Sequence, residues 1–205
     1  LRRLVIDSAT EACSVALFER GQLVAGSHAM LGRGHAEQLV PMIAALPGKG
    51  RADMIAVNAG PGSFTGIRVG LAAARALALA WQVPIEGYPC LALVAAMARA
   101  AHPGQAIDVV MTGGHGEWFF QSFAPDGAAS GETASLHPQA AAERSQAATI
   151  AGSQAVALVA RRGGSPAACS LWPDARAFAL LGAELLRTDP APRYGRPPDA
   201  RLPAA

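Results

Sequence analysis

Cysteine, lysine and charge are all scarce in this sequence. The three cysteines, Cys13, Cys90 and Cys169, lie far apart and no C-x-x-C occurs. That excludes a disulfide framework and a zinc knuckle, and predicts a reducing compartment. Lys49 is the only lysine, every other basic residue being arginine. Together with the abundance of alanine, this reads as compositional bias rather than function. Charged residues make up 16% and the net charge is +2, too small to declare a nucleic-acid binder by itself. The longest apolar run, residues 69–81, is interrupted by Arg75 and is too short to span a bilayer. The chain opens at Leu1 directly on a strand pattern without a signal-peptide signature, and the expectation is a cytoplasmic protein.

What is present is enough for one large domain or two small lobes: 205 residues, 51% hydrophobic. The first half reads β-β-β-α-β-α, then a short strand and a helix. Strand patterns at residues 4–6, 13–18 and 23–29 are separated by polar turns. A helical pattern follows Gly34, with Leu39, Met42, Ile43 and Leu46 at helical spacing and Pro41 expected to kink it or limit its first turn. Residues 54–57 read as strand, 67–81 as helix, and 90–101 as a further helix after a short strand at Ile85. Strand, turn and strand recur at residues 106–127. The first strand-to-turn spacing, Asp7 to Gly21, is 14 residues, and the second, Thr112 to Gly127, is 15. This weak internal repeat predicts two lobes of related topology, residues 1–103 and 104–205. In the second, 138–147 and 174–187 read as helices, and the Pro/Arg-rich residues from 189 onward as an extended tail.

The central motif is Asn58-Ala59-Gly60-Pro61-Gly62-Ser63-Phe64-Thr65-Gly66-Ile67-Arg68-Val69-Gly70. Gly60, Gly62 and Gly66 permit turns that a Cβ would block, and Ser63 or Thr65 can cap the helix that follows. A glycine turn opening a helix is also a place where anions bind. Yet no lysine follows Gly66, so this is not a P-loop, and the glycine spacing is one residue too long for a dinucleotide fingerprint. A tight strand-to-helix turn is the better reading. Asp7, Ser8 and Thr10 end the first strand as a weak nucleotide contact, but their turn lacks the glycine that lets backbone N–H groups approach a phosphate. The second half has Gly113 and Gly114 but Thr112 where an acid could sit. His35 is followed at i+4 by Leu39, not by a second histidine, so no metal pair forms. No nucleophile and base can be paired, and Ser63 is not in a G-x-S-x-G elbow. Small residues on several faces of helix 67–81 suit close packing against its own core or a partner. Arg68 and Arg75, seven positions apart, share one face as a solvated stripe or an ion-pairing one.

Residues 4–17, the run Gly60 to Gly70, His35 with Leu39-Val40-Pro41-Met42-Ile43, and Tyr194-Gly195-Arg196 together resemble the TsaB (YeaZ) family, strongly over residues 4 to about 95. The resemblance implies an α/β, actin/Hsp70-like (ASKHA) fold of two lobes with the second shortened. It implies a non-catalytic subunit in the making of threonylcarbamoyladenosine on tRNA, with no cofactor or metal of its own. The implied partners are the catalytic subunit TsaD, the ATPase TsaE and a second copy of the chain, with tRNA met only through the complex and no membrane. The implied partner surface combines His35, Leu39, Met42, Ile43, Leu46, Ile67, Gly70 and Ala74. Rival readings are an active phosphotransferase of the same fold, with Asp7 and the glycine loop around ATP, and a metallopeptidase-like protein, against which the missing second histidine argues.

Overall fold

A computed structural model describes residues 1–195. Strands β1 (Arg2–Asp7), β2 (Ala12–Glu19) and β3 (Gln22–Met30) form a meander, followed by helix α1 (His35–Ala44). Strand β4 (Met54–Asn58), helix α2 (Phe64–Trp81), strand β5 (Ile85–Tyr88) and helix α3 (Cys90–Ala101) complete the first half. The second half repeats the plan: β6 (Ile107–Thr112), β7 (Trp118–Phe123), β8 (Ala134–Leu136), α4 (Pro138–Arg144), β9 (Thr149–Ala151), α5 (Ala155–Arg162) and β10 (Ala167–Cys169). The chain then returns to the first sheet as β11 (Arg187–Thr188).

The sheet orders are β11-β5-β4-β1-β2-β3 and β10-β9-β6-β7-β8. Without β11 they are the same order. In each, a hairpin meander is extended by parallel strands on the far side of its first member. The weak sequence repeat is therefore a repeat of topology, and the architecture is the two-lobed actin/Hsp70-like one. The second copy is built from shorter pieces: α4 and α5 have 7 and 8 residues against 10 and 18 in α1 and α2.

The apolar run Leu4-Val5-Ile6 is unbroken because β1 is covered on both faces. Leu4 and Ile6 pack with Leu39, Ile43, Ile67 and Leu71 from α1 and α2, whereas Val5 faces Leu93 of α3 and Phe178. Helix α3 is buried nearly all round. Its Leu93 belongs to the first sheet's core and its Leu91, Val94 and Ala98 to the second's, so one helix serves both lobes.

Several expectations are corrected. Helix α2 begins at Phe64, since the Ser63 hydroxyl accepts the Gly66 N–H at 3.2 Å as an N-cap. At 18 residues it is long and apolar enough, by length and composition, to cross a membrane, contrary to the shorter reading. Here its Gly66, Ile67, Gly70, Leu71, Ala74 and Ala78 lie buried instead on its own sheet. Pro41 sits inside α1, on its exposed side, and the helix runs through it to Ala44. Residues 174–187 are not one helix but two 3-10 turns, Ala175–Leu180 and Ala183–Leu185. Their apolar residues are drawn to different clusters, Ala175 and Phe178 to the first sheet and Leu185 to the second lobe's core, which a single helical face could not satisfy. Helix α4 stops at Arg144. Asp108 accepts hydrogen bonds from Ser145 Oγ at 2.8 Å and from the Gln146 and Ala147 N–H groups at 2.9 Å, which turns the chain into β9. Residues 187–188, expected in the second lobe, pair with β5 of the first. Arg196 and Arg201 of the expected tail lie outside the described residues.

Ala74 is fully buried against this sheet. Ala74→Trp should therefore destabilise the lobe by about 1–3 kcal/mol or more through overpacking. Urea unfolding measures this directly, and an unchanged midpoint would show that the position has room.

Candidate functional site

The glycine loop lies against the turn between β1 and β2. A Cβ on Gly62 would strike the Ala9 carbonyl, and one on Gly66 the Ser8 carbonyl. Glycine is required at both because two backbones meet there. The Ser63 N–H donates to Ala9 O at 2.6 Å and Ser8 Oγ donates to Gly66 O at 2.9 Å. The space that a phosphate would need between loop and turn is filled by the turn itself. The Gly60–Pro61 peptide is cis.

Beneath the loop, Asp7 is wholly buried at the end of β1. Its carboxylate accepts Asn58 Nδ2 at 2.7 Å, the Tyr88 hydroxyl at 2.9 Å and the Ala9 N–H at 3.3 Å. Asn58 Oδ1 in turn accepts the Gly60 N–H at 2.8 Å. Burial pushes the Asp7 pKa up to about 7; the three hydrogen bonds pull it down and the charge of Asp174 adds to the rise. The same burial, with Asp7 beside it, raises the Cys13 thiol to about 12, so it is no nucleophile at neutral pH.

Two cavities of about 1100 Å³ and 1090 Å³ lie where the lobes meet. The second is lined by Thr10, Ser63, Thr65, Arg68, Gly113 and Tyr194, among others. Residues 187–195 run between the two as a strap. Arg75 Nη2 donates to Pro190 O at 2.8 Å and the Arg193 N–H donates to Ala59 O at 2.7 Å. Gly195 lies against Phe119 of β7 and Pro61, so the strap touches both lobes. Among the described residues Arg68 and Arg75 pair with no carboxylate; both are exposed and each holds the strap. Arg75 holds the strap backbone, and Arg68 Nε donates to the Tyr194 hydroxyl at 3.0 Å.

The remaining expected site residues fall in two groups. Leu39, Ile43, Leu46, Ile67 and Ala74 are all within 6% of full burial in the first core, and a Cβ on Gly70 would meet Ser8 Oγ at 2.6 Å. This corrects their reading as a partner surface: their helical spacing marks the face turned to their own sheet. His35 is buried, with Nε2 3.3 Å from Ala12 O, and Met42 is half-buried. The exposed side of the same two helices carries Val40, Ala72, Ala76 and Leu79, of which Leu79 is 82% exposed. Asp7 and Ser8, expected to touch a nucleotide, have side chains buried away from solvent, while Thr10 lines the cavity and accepts the Ala12 N–H at 3.3 Å. Asn58 and Tyr88 were missed as Asp7 partners because no short-range spacing links residues 51 and 81 positions away. Pairings across the second lobe, Cys169 Sγ with His102 Nε2 at 3.3 Å and Glu117 with His137 at 3.8 Å, were hidden likewise. Among the described residues no group of three His, Cys, Asp or Glu side chains is placed to hold a metal ion.

A family model described as "TsaD: tRNA N6-adenosine threonylcarbamoyltransferase" matches residues 29–157. The tRNA threonylcarbamoyladenosine biosynthesis protein TsaB of Escherichia coli K12 is 38% identical over 100 residues, 46% of this chain and 43% of the relative. Its Haemophilus influenzae counterpart is 33% identical over 125 residues, 58% and 52% of the two chains. The chain thus spans about half the length of the curated relatives it matches. The structure of YeaZ from Pseudomonas aeruginosa superposes with a TM-score of 0.77 at 26% identity, covering 94% of this chain and 99% of that one.

The Asp7 network makes stability depend on pH. The folded chain holds the Asp7 proton up to about pH 7, whereas an unfolded aspartate releases it near 3.8. The folded state therefore binds more protons between these values, and stability falls as pH rises through this window. Asp7→Asn, which carries no titrating proton, should flatten the pH dependence of the urea midpoint between about pH 4 and 7. An unaltered slope in this variant would show that another group titrates.

Proposed function

The chain belongs to the TsaB (YeaZ) family of tRNA threonylcarbamoyladenosine biosynthesis proteins, within the reach of the TsaD family model, and from that premise we propose that it is a non-catalytic scaffold subunit. In this reading it pairs with a TsaD-like catalytic subunit, is joined by a TsaE-like ATPase, can self-pair, and works in the cytoplasm. It reaches tRNA as part of that assembly.

The observation that supports the reading is the fate of Asp7. An actin-like phosphotransferase needs a carboxylate at the end of its first strand facing the cleft, where it can act on a metal-bound phosphate. Here that carboxylate is turned inward onto Asn58 and Tyr88, and the β1–β2 turn fills the glycine loop. The structural work of the group occupies the position where catalytic work would be done. The exposed side of α1 and α2 supplies a partner surface. Val40 is 60% exposed and Leu79 82%, with Ala72 and Ala76 between them small enough for another helix to approach closely. The phosphotransferase reading retains one observation in its favour, the cavity of about 1090 Å³ between Thr10 and Gly113.

Two measurements separate these readings. The purified chain should show neither threonylcarbamoyl transfer nor ATP hydrolysis, and turnover abolished by Asp7→Ala would sink the scaffold reading. Leu79→Glu and Ala76→Arg, both at exposed positions, should leave the melting temperature unchanged. Each should weaken capture of a TsaD-like subunit by about 2 kcal/mol or more, as central contacts do. Full capture by both folded variants would remove this surface from the proposal.

A further inference from the structure

Helix α2 carries two arginines and no acidic residue. Residues 187–195, which pack along it, add two arginines and one aspartate. These two stretches hold a net +3 in a chain whose total is +2, so the remaining residues sum to −1. The positive charge that looks negligible in the whole is gathered along one edge. Arg68 and Arg75 both face solvent on it, and among the described residues neither is paired with a carboxylate. Each spends one hydrogen bond on the strap and keeps its other guanidinium donors. They lie about 10 Å apart along the helix axis. Arg193 is exposed on the strap but lines the other cavity.

Aromatic rings are interleaved with these charges. Phe64 is 53% exposed at the first position of α2, unusual for a ring with a buried sheet so near. The Arg68 guanidinium lies over it at 3.6 Å, and the Tyr194 ring is 4.8 Å away, centre to centre, tilted by 37°. The Tyr194 hydroxyl fixes Arg68 at 3.0 Å. The arrangement is held in place without any partner, and leaves the Phe64 ring 53% exposed beside arginines that pair with no carboxylate among the described residues. Ala72, one turn from Arg68, and Leu79, one turn from Arg75, border this edge on the same exposed side of α2.

We propose that Phe64, Tyr194, Arg68 and Arg75 form a surface for unpaired RNA, with a base stacking on the rings and neighbouring phosphates meeting the arginines. Every base offers a face that can stack on such a ring, and phosphates supply the charge that the edge lacks. The proposal rests on the reading of the chain as a subunit of a tRNA-modifying assembly, and deepens it by naming the side that meets the RNA.

Fluorescence anisotropy on the full chain tests it, with a single-stranded oligouridine of about 12 nucleotides and a duplex of the same length as probes. The single strand should bind better than the duplex, weakly and with strong salt dependence. Arg68→Gln combined with Arg75→Gln should reduce the log–log salt slope by about 1.4, at about 0.7 per phosphate contact. Phe64→Ala should lower single-strand affinity about tenfold and leave that slope in place. Tyr194→Phe, which keeps the ring and loses only the hydroxyl, should retain most of the binding; melting curves establish that all variants fold. The proposal is overturned by equal or tighter duplex binding, by no single-strand binding at low salt, or by variants indistinguishable from the parent. It is also overturned if oligoglutamate fails to bind less tightly than RNA and its binding is equally sensitive to Phe64→Ala, which would make this a surface for an acidic peptide. Capture of the TsaD-like subunit, measured on the same variants, keeps the two readings apart. Retained capture with lost RNA binding supports this surface, whereas failure of the parent chain to capture that subunit strikes at the subunit reading alone.

Discussion

Three donors converge on one buried carboxylate: Asn58 Nδ2, the Tyr88 hydroxyl and the Ala9 N–H all point at Asp7. They come from the ends of β4 and β5 and from the turn after β1, so this one group ties together the carboxyl ends of three parallel strands. Asn58 passes the connection to the Gly60 N–H, and the glycine loop is thereby set at a fixed height above the sheet. From that height Gly62 and Gly66 can take the backbone of residues 8 and 9, and α2 starts at Phe64 rather than elsewhere. Satisfied buried polar groups of this kind specify one arrangement because leaving any member unpaired is costly. Opposing demands meet in Asp7 itself. The hydrogen bonds favour the ionised form and burial favours the neutral one, and burial wins far enough to bring the titration near neutrality.

The second lobe copies the topology but not this anchor. The residue at the end of β6, in the place of Asp7, is Thr112, which is exposed and bonded to Ser153 and Gln154. The buried acid is instead Asp108, near the start of the strand. Its carboxylate binds Ser122, Ser145 and two backbone N–H groups, and so organises the end of the lobe away from the cleft. One lobe thus has its fixed point at the cleft and the other far from it. The elements around Thr112, Gly113 and Gly114 are correspondingly open, while those around Asp7 are closed.

Legibility in the sequence followed the range of the interactions. The β-meander and the α3 boundaries depend on residues a few positions apart, and periodicity and turn chemistry exposed them; for α2 they offered Ser63 or Thr65 as the cap but placed the helix start three residues late. Element type became ambiguous where pieces were short: residues 155–159 are apolar without a distinguishable period and turned out to open α5. The direction of a helical face was the main misreading. Leu39, Ile43, Leu46 and Ala74 have the spacing of one apolar face, and spacing alone does not say whether that face meets the chain's own sheet or another molecule. Only the packing places them within the core and leaves Val40, Ala76 and Leu79 outside. The Asp7 partners and the strap were invisible for another reason, since they join residues 50 to more than 100 positions apart and leave no local pattern.

The strap gives the glycine loop a second function. Gly60 has φ 99°, and a Cβ there would collide with the Arg193 carbonyl, so the loop is shaped on one side by the β1–β2 turn and on the other by the C-terminal segment. Gly195 then meets Phe119, and through it the second lobe. The loop, read from the sequence as a tight strand-to-helix turn rather than a phosphate site, has received two pieces of its own chain. What this leaves exposed is the outer side of α2, where Arg68 and Arg75 grip the strap with part of their donor capacity and present the remainder to solvent. The glycine loop is filled by its own chain, while the cavity beside it stays open, with Arg68 and Tyr194 in its lining.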